Sequence, residues 1–206
     1  MLKSIFIKLL SGYTQDSEYT ESLWSDINKQ HSKKNRYYHN LYHLENLYHN
    51  LLEIKTRIKN WDIALFALFY HDYIYNVLKQ DNEEQSAKKA EKILNTLKIE
   101  KKDITLCSKI IIATKGHNIS KNSDINYFTD ADLSILGNDW KTYEEYYKNV
   151  RKEYKYYPDF VYNKGRIKVL HHFINMPTIF KTSHFYNKFE VQAKENLQRE
   201  IDLLHI

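Results

Sequence analysis

The chain has 206 residues, enough for one substantial core and close to the usual size of a single domain. Hydrophobic residues make up 42% and charged residues 28%, too apolar for general disorder, and the longest apolar run is too short to span a bilayer. A lone cysteine, Cys107, excludes an internal disulfide framework and suits a reducing compartment, so the cytoplasm is the expected setting.

A formal net charge of +5 and eighteen tyrosines would suit phosphate and stacked bases. The richest stretch, 146–157, is however interleaved with Glu144, Glu145 and Glu153, and reads as the wet face of a helix rather than a nucleic-acid surface. Tyrosine on a surface equally suits a homodimer patch. Mild positive charge also serves a small phosphorylated substrate.

Four glycines and two prolines leave few breakers, so long helices with short connections are expected. The first, 3–10, is a short amphipathic packing helix without the small-residue cleavage site of a leader. The others are expected at 18–31, 38–58, 61–72, 83–97, 103–116, 124–136, 140–154, 159–174 and 184–204. Leu44, Leu47, Leu51, Ile54 and Ile58 step by three and four, as do Phe185, Phe189, Ala193, Leu197 and Ile201. No alternating strand pattern, internal repeat or flexible linker interrupts them. The expectation is an all-α, single compact domain over 1–206, a bundle of about nine or ten helices. Its most loop-like segments, 73–80, 115–123 and 175–183, lie beside the polar residues that carry the chemistry.

The run Ala64-Leu65-Phe66-Ala67-Leu68-Phe69-Tyr70 is apolar on all sides and ends in His71-Asp72. A helix of that kind is buried, so both polar residues border the interior. Taken alone, such a pair is satisfied by turn chemistry and an interior histidine. A divalent cation is the other partner that lowers the cost of burying them. His39 and His43, four apart, share a helical face, and His43 is four from the core position Leu47, which points it inward. In 124–136 the stripe Ile125, Phe128, Asp132, Leu136 sets Asp132 in an apolar row. Asp130, about 200° away around the helix, is expected to be solvated or bonded to local backbone. Two imidazoles and two carboxylates from three segments leave open positions on a six-coordinate cation, unlike a closed, cysteine-rich zinc site.

The ordered set His43, His71-Asp72, Asp132 resembles the H…HD…D signature of the HD superfamily of metal-dependent phosphohydrolases. Locally, Arg36-Tyr37-Tyr38-His39-Asn40-Leu41-Tyr42-His43, Phe69-Tyr70-His71-Asp72, Asp81-Asn82-Glu83-Glu84-Gln85-Ser86-Ala87 and Asp130-Ala131-Asp132-Leu133-Ser134-Ile135-Leu136-Gly137 resemble a bacterial subgroup of predicted members, from about residue 22 to the C-terminus. The resemblance implies an all-helical fold and a metal held by His43, His71, Asp72 and Asp132. Manganese is the first choice, with magnesium, iron, cobalt or nickel as others. It further implies hydrolysis of a phosphomonoester or phosphodiester, often of a nucleotide. Iron oxygenases with the same ligands and non-catalytic nucleotide-binding or nucleic-acid-binding domains are the alternatives.

In such a site the metal would activate water and polarise a phosphoryl oxygen. His39, His117 and Glu83 are the candidates for protonating the leaving oxygen, and Arg36 and Lys115 for gripping phosphate. A capping box between Asp81 and Glu84 leaves Glu83 as the spare carboxylate. Arg166 reads equally well as a structural ion-pair partner, and Cys107 as a small buried residue rather than a nucleophile.

Overall fold

The computed structural model describes residues 1–204, and every regular element among them is helical. The α-helices are α1 (Leu2–Leu10), α2 (Ser17–His31), α3 (Leu41–Glu53), α4 (Trp61–Tyr70), α5 (Asn82–Thr96), α6 (Lys101–Ala113), α7 (Ser123–Asp132), α8 (Trp140–Glu153), α9 (Asp159–Ile174) and α10 (Ser183–Leu204). Short 3-10 turns, Lys55–Arg57 and Leu133–Gly137, follow α3 and α7. The all-α expectation and its ten helices hold among the described residues, none of which forms a helix long and apolar enough to cross a membrane.

Helix ends differ from the periodic pattern where a cap intervenes. Against the span 38–58, α3 starts at Leu41 because the Asn40 side chain accepts from the N–H groups of Tyr42 at 2.8 Å and His43 at 3.4 Å. His39 therefore lies in the turn before the helix, and the His39–His43 spacing crosses a cap rather than one helical face. Likewise α4 ends at Tyr70, leaving His71 as its C-cap. The Asp81–Glu84 capping box does not form: Asp81 accepts from Gln85 Nε2 and Glu84 pairs with Lys115. Side-chain donors on Gln85 and Lys115 have outcompeted the local backbone N–H groups.

The chain packs as two compact units, Met1–Thr129 and the part from Asp130 onward. In the first, α4 packs against α1, α3, α5 and α6, and its residues from Ile63 to Tyr70 are all buried. Phe6 meets Phe69 edge-on at 4.8 Å, and Tyr13 meets Phe66 at 5.5 Å. Each such side chain contributes about 1.5–3 kcal/mol of burial. The buried Asp124 carboxylate, in the first turn of α7, accepts from the N–H groups of Lys59 and Asn60 and from Asn60 Nδ2. These three bonds hold the entry to α4 in place.

In the second unit Arg166 and Glu200 form a buried two-pronged ion pair at 2.7 and 2.9 Å, and Tyr143 donates to the same carboxylate. That is the structural role read as one option for Arg166. Asn196 donates to the carbonyls of Leu136 and Asn138, closing the turn after α7 onto α10. The cationic and tyrosine-rich face of α8 is largely self-satisfied: Arg166 lies over Tyr146, Arg151 over Tyr162, and Lys148 pairs with Glu144.

Asp130 departs from its expected place in solvent. It is fully buried and accepts from the Lys181 N–H and Nζ and from the Thr182 N–H and hydroxyl, at 2.7 to 3.0 Å. The partner segment lies fifty residues further along, just before α10, so no local pattern marks it.

Candidate metal centre

His71 is placed by the end of α4. Its backbone N–H bonds to the Ala67 carbonyl at 2.8 Å, and the helical backbone at this residue turns the ring into the interior, 1% exposed. The ring's Nδ1 lies 3.0 Å from the Leu68 carbonyl. A carbonyl only accepts, so Nδ1 carries the proton and Nε2 presents a lone pair. His43, in the first turn of α3 and 5% exposed, brings its Nε2 to 3.1 Å from that of His71. Asp72 Oδ2 stands 3.2 Å from His71 Nε2 and 3.6 Å from His43 Nε2.

Two of these three separations, 3.1 and 3.2 Å, match donors that share one ion, and the third, 3.6 Å, is slightly wider. Around a first-row cation with bonds of about 2.1 Å, neighbouring ligands lie roughly 3.0–3.4 Å apart. The lone pairs of His71 Nε2 and Asp72 Oδ2 face each other across 3.2 Å, an arrangement that positive charge between or upon them relieves. A divalent cation fits, since the donors are of the right kind and the Leu68 carbonyl already fixes the imidazole tautomer a metal requires. Burial alone would raise the Asp72 carboxyl, but positive charge on the His71, His39 and His43 imidazoles, where they are protonated, outweighs it and holds the group well below the usual carboxylate range.

No protein-family model matches the chain, and no curated protein or solved structure matches it. The site therefore stands on its own geometry.

Of the other expected residues of the first unit, His39 and Glu83 are linked to this centre by ring contact or charge. The His39 ring lies against Tyr75 at 4.2 Å and near His43 at 5.8 Å. Glu83, in the first turn of α5, is half-buried; burial raises its carboxyl, its own backbone N–H and Lys115 oppose the rise, and the charge on Asp72 adds to it. Lys115 donates to the Gln80 carbonyl at 2.5 Å and to Glu84 at 2.7 Å, so two of its three ammonium protons are engaged within the protein.

His117 sits in a left-handed conformation, φ 50°, with its N–H on the Ala113 carbonyl, a geometry that ends α6. Asp132 is the last residue of α7 and belongs to the second unit; Phe128, one turn earlier, sets its ring 5.8 Å from that of His71.

Arg36 is buried, and its guanidinium faces main chain. Nη1 donates to the carbonyls of Asp72 at 2.7 Å and His39 at 3.1 Å, and Nη2 donates to that of Tyr73 at 3.0 Å. The Tyr75 ring lies 5.4 Å from the same guanidinium. The sequence reading missed this arrangement, as it missed the Leu68 carbonyl behind His71. Both contacts use backbone oxygens, which leave no mark on residue type. Cys107, by contrast, is the buried residue expected, its thiol pushed up by burial.

Proposed function

We propose that the chain is a metal-dependent phosphohydrolase of the HD type, acting in the cytoplasm on a small phosphorylated compound of the nucleotide class. The observation that carries the reading is the convergence of His43 Nε2, His71 Nε2 and Asp72 Oδ2. Asp132 enters as the fourth ligand on the strength of the resemblance. A bound divalent cation, manganese first among the candidates, would supply Lewis acidity that lowers the pKa of water and draws charge from a phosphoryl oxygen.

The protein's own residues do the rest. Asp72 brings negative charge and the two imidazoles bring neutral nitrogen donors, a set that favours a divalent first-row ion. Glu83, its carboxyl raised, is suited to hold a proton and deliver it to a leaving oxygen, with His39 and His117 as the other candidates. The third N–H of Lys115 is the donor that remains for a substrate phosphate.

The test is a screen of phosphorylated metabolites with the purified protein loaded in turn with manganese, magnesium, cobalt, nickel and iron. Phosphate release that chelation abolishes and Asp72→Ala lacks supports the reading. Equal hydrolysis by wild type and Asp72→Ala, or oxygen consumption without phosphate release, overturns it.

A further inference from the structure

We propose that Arg36 is a positioning residue of the metal centre: its buried guanidinium fixes the backbone that carries Asp72 to the backbone that precedes His43. The inference rests on the metal reading above. Asp72 follows the end of α4 in a turn, outside the regular bonding that would hold it, and its carbonyl accepts from Arg36 Nη1 at 2.7 Å. The next carbonyl, of Tyr73, takes Nη2. The His39 carbonyl, one residue before the Asn40 cap that starts α3, shares Nη1.

One planar fork thus spans the segments that bear the carboxylate and the His43 imidazole. Backbone at two points after α4 and one point before α3 can then shift only together. A lysine cannot replace it, because an ammonium lacks the rigid planar spread that three carbonyls in separate directions require. Tyr75 lies against both the guanidinium and the His39 ring, which ties the arginine to an aromatic neighbour of His43. A metal bond is sensitive to a few tenths of an ångström, so losing the fork reaches the cation through the backbone of Asp72.

The experiment is cobalt(II) titration of the full chain, read by visible absorption, for wild type, Arg36→Lys, Arg36→Ala and the core control Leu51→Ala, with circular dichroism confirming the fold of each. Expected are a 10–100-fold loss of affinity and an altered absorption band in the Arg36 variants, with recovery in Arg36→Ala on adding millimolar guanidinium but not ammonium. Leu51→Ala should lose stability and keep its cobalt affinity. Wild-type affinity and spectrum in a folded Arg36→Lys, an equal loss in Leu51→Ala, or failure of both Arg36 variants to fold would each overturn the proposal. Absence of cobalt binding in wild type would instead refute the metal reading beneath it.

Discussion

His43 Nε2 and His71 Nε2 lie 3.1 Å apart, and the proton on the far side of His71 is committed to the Leu68 carbonyl. Two imidazole nitrogens brought this close beside a carboxylate form a receptor for positive charge. His43→Ala, His71→Ala and Asp72→Ala are each expected to weaken cobalt(II) binding by at least 100-fold, while Tyr42→Ala, at an exposed neighbour, leaves it unchanged. Calorimetric titration checks this, and undiminished binding in any of the three would remove that residue from the ligand set.

His31 supplies a pH-dependent contribution to stability. Burial, aided by the charge of Arg36, lowers its pKa from 6.5 to about 3, and its Nδ1 donates to the Ile27 carbonyl. The unfolded chain therefore takes up a proton that the folded chain refuses. Stability is full above about pH 6.5 and falls by about 1.4 kcal/mol per pH unit as the pH drops toward 3. Urea unfolding followed from pH 7 to pH 5 should show this slope in wild type and a slope smaller by one proton in His31→Phe. Parallel profiles would contradict the assignment.

Asp130 and Asp132 are expected to separate cleanly. Removing the Asp130 carboxylate strands the donors of Lys181 and Thr182, so Asp130→Ala should cost about 3–5 kcal/mol in denaturant unfolding. Asp132→Asn should lower cobalt affinity at least tenfold and cost less stability than Asp130→Ala. The reverse pattern would exchange their roles.

Gly137 answers to close packing. A Cβ there would sit 2.6 Å from the Phe189 carbonyl oxygen, an approach that backbone atoms cannot relieve by rotation. Gly137→Ala should therefore destabilise by about 1–3 kcal/mol, measured by thermal or urea unfolding, with no effect on the tyrosine-lined α8 face. A neutral outcome would show that α10 shifts to accommodate the methyl group.

Much of this was legible because periodicity reports burial. The all-apolar run from Ala64 to Tyr70 can only be satisfied as a central helix, and whatever follows such a helix starts at its interior end, which located His71 and Asp72. The inward aim of His43 followed in the same way from its spacing to Leu47. The Asp130 reading failed because helical phase tells which way a side chain leaves its own helix, not whether another segment is waiting there. The Asp81–Glu84 reading failed for a related reason: Lys115, thirty-one residues from Glu84, offered a stronger partner than a backbone N–H.

The sequence by itself determined the all-helical class, the buried path of α4 and the identity of the polar residues at its end, since these depend on side-chain hydrophobicity repeated at fixed local intervals. Only the tertiary structure decided that His43, His71 and Asp72 present their donor atoms to one point, that Leu68 sets the imidazole tautomer, and that Arg36 reaches backbone rather than open solvent. Those are matters of a few tenths of an ångström between segments distant in the chain, and main-chain carbonyls, identical at every residue, carry no sequence signal of where they will be used.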